Sequence, residues 1–269
     1  MKFLSALFLF LMSGFAAADY NTAYQAYKQG DYDVALKEFQ HLAEQDDNLK
    51  SEFYLGAMYR EGLGVDQDYA RALYWYKKAA AHGEPKAQHN VALFYHNGLS
   101  VDRDIPTAIE WYKKAANQNY VESEQNLALL YYRGDGIPAD IDKAVYWWKR
   151  AADQGGIRAQ HNLGLMYYSG KGVQQDYKQA LYWFRKAAEQ GFAESQNSLG
   201  VIYHEGQGVD KDWVEAYAWF RLASDQDQKA ADLNVAILDS KLTDAEKTQA
   251  LKKYEDYKKI YVKKPDKDR

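Results

Sequence analysis

Three groups of side chains have the types and spacing that could do chemistry: the histidines, the glycine-paired turns and a row of asparagines. The histidines are His41, His82, His89, His96, His161 and His204. His89 and His96 lie seven residues apart on one predicted helix, so they share a face at a separation of about 10 Å. One zinc ion cannot take both directly, and the short ligand spacings of zinc sites do not occur. The sequence contains no cysteine, which excludes thiolate metal sites and disulfides. We therefore expect no metal and no cofactor. Gly-x-Gly turns resemble phosphate loops, but a dinucleotide site needs such a turn between a strand and a helix. Here each turn follows a helical pattern, so it reads as a helix stop. No serine has a base partner legible in the sequence, and neither Ser-x-x-Lys nor Lys-Thr-Gly occurs. These features predict a protein that is not an enzyme.

The asparagines point elsewhere. Asn90, Asn126 and Asn162 recur in mid-helix, with Ser198 in the next place. Asparagine is a poor helix former whose amide both donates and accepts. Such a row serves either a partner's backbone in a groove or the loop backbone of a neighbouring unit. Further along the same helices the residues vary: Arg60, His96, Tyr132, Tyr168 and His204, then Glu61, Asn97, Arg133, Ser169 and Glu205. Aromatic residues and arginine are enriched at binding hot spots. The candidate partner-binding set is thus Asn90, Asn126, Asn162, His96, Tyr132, Arg133, Tyr168 and His204. A row of unconstrained surface residues would vary in the same way.

The elements that must position these groups are repeats. Trp75, Trp111, Trp147, Trp183 and Trp219 are spaced by 36 residues, as are Gly62, Gly98, Gly134, Gly170 and Gly206. Five units run at 50–85, 86–121, 122–157, 158–193 and 194–229. Each holds two helical patterns. In the unit from Arg158, Ala159, Leu163, Met166 and Tyr167 form one stripe, and Gly170 ends the helix. Asp176 then stands where an N-cap is wanted, and Ala180, Trp183, Phe184 and Ala187 line the second helix. Gly56, Gly164 and Gly200 share one mid-helix position and imply close approach of a partner helix, with the tryptophans filling the space between units. One helix pair cannot bury such a face alone, so the units must stack.

The flanks differ. Residues 19–49 read as a looser N-terminal capping pair and 230–262 as C-terminal capping helices. In the latter, Thr243 and Glu246 form a capping box, and Leu251, Tyr254, Tyr257 and Tyr261 are expected on one side. Residues 263–269 read as a disordered tail. Residues 1–18 combine Lys2, an apolar run from Phe3 to Met12 and Ala16-Ala17-Ala18, a secretory signal cut after Ala18. The apolar run is shorter than the ~20 residues that span a bilayer, so no stable membrane anchor is expected. A periplasmic or secreted chain is implied. The formal net charge of −4 argues against nucleic acid, and two capped ends favour a monomer when unbound.

The unit Ala-x-x-Asn-Leu-Gly-x-x-Tyr, Gly-x-Gly-Val, Asp-Tyr-x-x-Ala-x-x-Trp-x-x-x-Ala-Ala-x-x-Gly resembles the Sel1-like repeat, a tetratricopeptide-type helix pair. The resemblance implies an all-α, right-handed α/α superhelical solenoid that mediates protein–protein contacts, with a protein or peptide held on the concave first-helix face. Bacterial members are often exported. Some are immunity proteins against antibacterial phospholipases of type VI secretion, the alternative reading. Cysteine-rich relatives associated with β-lactam binding or hydrolysis supply a third, which the absence of cysteine disfavours.

Overall fold

The computed structural model describes residues 19–45 and 48–261, and these are all-α. The expected leader, 1–18, and the tail, 263–269, lie outside the described residues. Two compact units meet between Arg103 and Asp104. The first holds α1 (Tyr20–Gln29), α2 (Tyr32–Gln45), α3 (Leu49–Glu61), α4 (Tyr69–Ala81) and α5 (Pro85–Asn97). The second holds α6 (Ile105–Ala116), α7 (Val121–Arg133), α8 (Ile141–Asp153), α9 (Ile157–Ser169) and α10 (Tyr177–Glu189). It continues through α11 (Ala193–Glu205), α12 (Trp213–Ser224), α13 (Lys229–Asp239) and α14 (Asp244–Tyr261).

Helix ends fall where the side chains dictate. Gly170 adopts φ 71°, and its N–H donates to Met166 O, closing α9 in the left-handed conformation that other residues avoid. The Asp176 carboxylate accepts the N–H groups of Lys178 and Gln179, opening α10. Between them the turn is pinned by the Asp176 N–H donating to Tyr167 O at 2.9 Å. Asp140 and Asp212 repeat both roles toward α8 and α12. The second glycine, present in every turn but that of Gly98-Leu99-Ser100, has another duty. A Cβ on Gly136 would collide with Ile105, and one on Gly208 with the backbone of Tyr177. That glycine lets the turn sit against the second helix of the preceding unit.

Inside a unit, the mid-helix glycines face an aromatic ring. A Cβ on Gly56 or Gly164 would stand 2.6 Å from Cδ1 of Tyr76 or Phe184, respectively. A Cβ on Gly200 would collide with Phe220. The ring that fills the space is therefore the residue after the repeated tryptophan. Phe184 is 1% exposed, and burying such a ring contributes about 2–3 kcal/mol. The tryptophans lie at the rim of this core, and in three units a cation one turn on stands over the ring, Lys78 over Trp75 among them. Arg150 stands 5.1 Å from the Trp147 ring and Lys114 3.7 Å from Trp111.

A polar ladder also joins the units. Gln160 Nε2 donates to Ala152 O, and its own carbonyl accepts from Gln190 Nε2 at 2.8 Å. Gln196 does the same with Ala188 and Gln226. Glu124 stands at this position fully buried, bound by Arg150 at 3.0 Å and Gln154 at 2.7 Å. Burial raises its pKa against the pull of both partners.

The α14 reading needs one correction. The buried stripe runs through Ala250 and Tyr254, with Tyr257 and Tyr261 packed beside it, while Leu251 is 43% exposed. One residue is a 100° step on a helix, which turns Leu251 away from α12.

Candidate partner-binding face

The predicted binding residues lie on first helices, and the structure gives the three asparagines three different environments. Asn90 on α5 is buried; its amide donates to Lys86 O and its carbonyl accepts from Arg60 Nη1, each at 2.8 Å. Both ends of that side chain are occupied within the first compact unit, one of them by the preceding repeat. Asn126 on α7 bonds the phenol of Tyr112, whose pKa burial raises. Asn162 on α9 is half-buried, and its amide bonds no other described residue. Ser198, the fourth in the row, donates back to Glu194 O on its own helix.

The varied row is partly packed. Tyr132 lies 5.1 Å from the Trp148 ring, with Lys171 Nζ 4.1 Å from its own ring centroid. Arg133, the last residue of α7, is exposed. Tyr168 meets Tyr177 edge-on at 5.4 Å. His204 stacks on Trp213 at 6.2 Å and bonds Glu205 at 2.7 Å. His96 is half-buried on α5, and its carbonyl accepts from Arg103 Nε. Of the eight, Tyr132, Arg133, Asn126, Asn162, Tyr168 and His204 belong to first helices of the second unit; Asn90 and His96 belong to the first.

One contact has the form of a nucleophile and its base. His161 Nδ1 lies 2.8 Å from Ser195 Oγ. Ser195 is fully buried, so no substrate reaches its hydroxyl. Burial lowers the His161 pKa to about 4, and its ring packs on Phe184 and Phe192. The pair fastens α9 to α11. Among the described residues no cluster of three metal-ligating side chains occurs, and no helix is long and apolar enough to cross a membrane.

The Sel1 repeat pattern matches residues 49–84, 85–120, 121–156, 157–192 and 193–228. The chain belongs to the Sel1-repeat family. Among solved structures, a Sel1 repeat protein from Oxalobacter formigenes is 32% identical, with a TM-score of 0.72, over 77% of this chain and 85% of that one. A protective antigen of uropathogenic Escherichia coli with the same repeat fold is 30% identical, with a TM-score of 0.57, over 90% of this chain and 60% of that one. No curated protein matches at a significant level.

Reading the Sel1 units in register exposes a row that sequence reasoning passed over. Leu129, Leu165, Val201 and Ile237 occupy one position on α7, α9, α11 and α13. Leu165 and Ile237 are each 38% exposed. The signal was present: an apolar residue recurs every 36 positions beside the asparagine row. It was hidden by the stronger apolar stripe on the opposite side of each helix.

Proposed function

We propose that this Sel1-repeat protein is a non-enzymatic interaction scaffold of the periplasm, exported by the leader at 1–18. It binds an extended segment of another protein on the first-helix face of α7, α9, α11 and α13. The observation that carries this reading is the pairing of two rows there. Half-exposed apolar side chains, Leu165 and Ile237 among them, recur at one position of successive first helices, and on α9 Leu165 lies one turn from Asn162, whose amide has no partner among the described residues. Buried backbone groups demand hydrogen bonds, so an amide beside apolar contacts suits a peptide main chain. Tyr132, Arg133, Tyr168 and His204 surround these rows and supply specificity, and the free chain is a monomer.

The outer faces of second helices offer less. Their tryptophans are already covered by Lys114 and Arg150. The test is cross-linking in periplasmic extract with two variants. One carries Asn162→Ala, Tyr168→Ala and Arg133→Glu; the other carries Tyr146→Ala and Tyr182→Ala on second helices. The first should lose the cross-linked partner and the second keep it. The reverse pattern would place the interface on the outer face and end this reading.

A further inference from the structure

Between α9 and α11 the first-helix face opens into a slot. Its walls are Leu165, Tyr168, Ser198 and Val201, its floor is Phe184, and its volume is about 120 Å³. Comparison with the preceding repeat shows how it arises. Where Phe184, Ser198 and Val201 stand, the preceding unit has Trp148, Asn162 and Leu165. Each of the three is smaller than its counterpart. Lys171, which lies over the Tyr132 ring, is replaced in the next unit by Gln207. Three changes in the lining therefore remove bulk from one place, and the lysine that covers the preceding unit's tyrosine has no counterpart.

We propose that this slot is the anchor subsite of the first-helix face, taking one branched aliphatic side chain from an extended segment of a partner protein. The inference rests on the face assignment made above and names what that face selects. Size sets the guest: a dry apolar cavity of about 150 Å³ holds a benzene-sized molecule, so this one holds a side chain of leucine or isoleucine type. Asn162 sets the conformation. Its free amide stands one turn before Leu165 on α9, and to hold a main chain it needs one whose N–H and C=O groups are available. An α-helix has spent those groups internally; an extended segment has not. The spacing agrees. Packed helices lie about 8–10 Å apart, so α7 and α13 each lie about 12–15 Å from the slot, a distance an extended chain covers in about four residues. A segment anchored in the slot thus brings its fourth neighbour, whose side chain points to the same face, toward Leu129 on α7 or Ile237 on α13.

The test uses the purified full chain and a random peptide library displayed on phage. Selected peptides should share one leucine, isoleucine or valine position. Synthetic copies with that residue changed to alanine should bind about tenfold more weakly by calorimetry. The slot is then filled with the preceding repeat's residues, Ser198→Asn and Val201→Leu. Both already fit one unit earlier, so the thermal melt should not change. On this variant the peptide's change to alanine should make no difference, because the anchor has nowhere to go. Equal tenfold losses on both proteins would overturn the slot, as would a library without an aliphatic position. In either case the wider face stands if Asn162→Ala weakens the same peptides. If neither the slot variant nor Asn162→Ala alters binding, the face assignment fails with it. Self-association in sedimentation that Val201→Leu abolishes would identify a second copy as the occupant and also overturn the proposal.

Discussion

Helices α10 and α12 stand in the same register of consecutive units, yet their outward stripes meet opposite surroundings. On α10 the stripe is Gln179, Tyr182 and Lys186, all exposed. On α12 the same positions hold Glu215, Ala218 and Leu222, all buried. The last two join a cluster that α14 closes with Ala250 and Tyr254. Glu215 accepts hydrogen bonds from Trp219, Tyr257 and Lys253, so one carboxylate pins α14 to the tryptophan rim. On α10 a lysine does the covering: Lys186 lies 5.1 Å over Tyr182, which meets Trp183 edge-on at 4.9 Å. Such an exposed contact contributes about 0.5–1 kcal/mol. The difference teaches that the repeat fixes an aromatic rim and leaves its outer cover to be chosen unit by unit.

Exchanging residues between the two stripes should give the largest effect. Leu222→Lys places a charge in a fully buried site without a partner and should cost about 3–5 kcal/mol. The reciprocal Lys186→Leu should change stability by no more than about 0.5 kcal/mol. Urea unfolding followed by circular dichroism reads both, and equal shifts would erase the contrast.

Acid should separate the two regions next. The folded pKa of His161 is about 4, below the unfolded value near 6.5. Between those values the unfolded chain binds a proton that the folded chain does not. Stability is therefore intact above pH 6.5 and falls as pH drops toward 4, by about 1–3 kcal/mol. The α12–α14 contact behaves otherwise. Asp225 is partly buried, which works against its charge, but bonds from Lys258 and Tyr254 hold its pKa below the ordinary value. Its contribution persists through that window and is lost only at lower pH. Hydrogen exchange measured between pH 7 and 4 should show α9 and α11 loosening before α14. His161→Gln should flatten the response of α9 and α11, and simultaneous loosening would contradict the assignment.

The smallest effect concerns the core beneath both stripes, which is alike. Gly200→Ala should cost about 1–2 kcal/mol by crowding Phe220, and Gly164→Ala a similar amount against Phe184. Thermal melts of the two variants should agree to within about 0.5 kcal/mol. A large disparity would show that the cover, and not the shared core, governs the backbone's tolerance.

Much of this was legible from residue spacing. The glycine stops, the aspartate caps and the paired helices follow from local chemistry that five copies repeat. The covering of α12 was legible too: tyrosine or glutamate becomes Ala218 and lysine or arginine becomes Leu222 only in the last unit. Other features were not. Leu251 fits an apolar stripe by spacing, yet it is exposed, because a stripe's direction depends on where the opposing helix lies. The asparagines are alike in sequence, but Asn90 is bound by Arg60, Asn126 by Tyr112, and Asn162 by no described residue. Reach across to a neighbouring helix made that distinction.

The sequence by itself determined that this chain forms Sel1-type helix pairs, where each helix stops and which side of it is apolar. These are short-range matters: left-handed glycines, carboxylate caps and helical period act within a few residues of chain. Tertiary structure alone decided which aromatic ring lies against the mid-helix glycine, which asparagine amide keeps its bonding capacity, and that a slot opens between α9 and α11. Those outcomes depend on the difference in bulk between side chains on neighbouring helices, a quantity that exists only once the helices have packed.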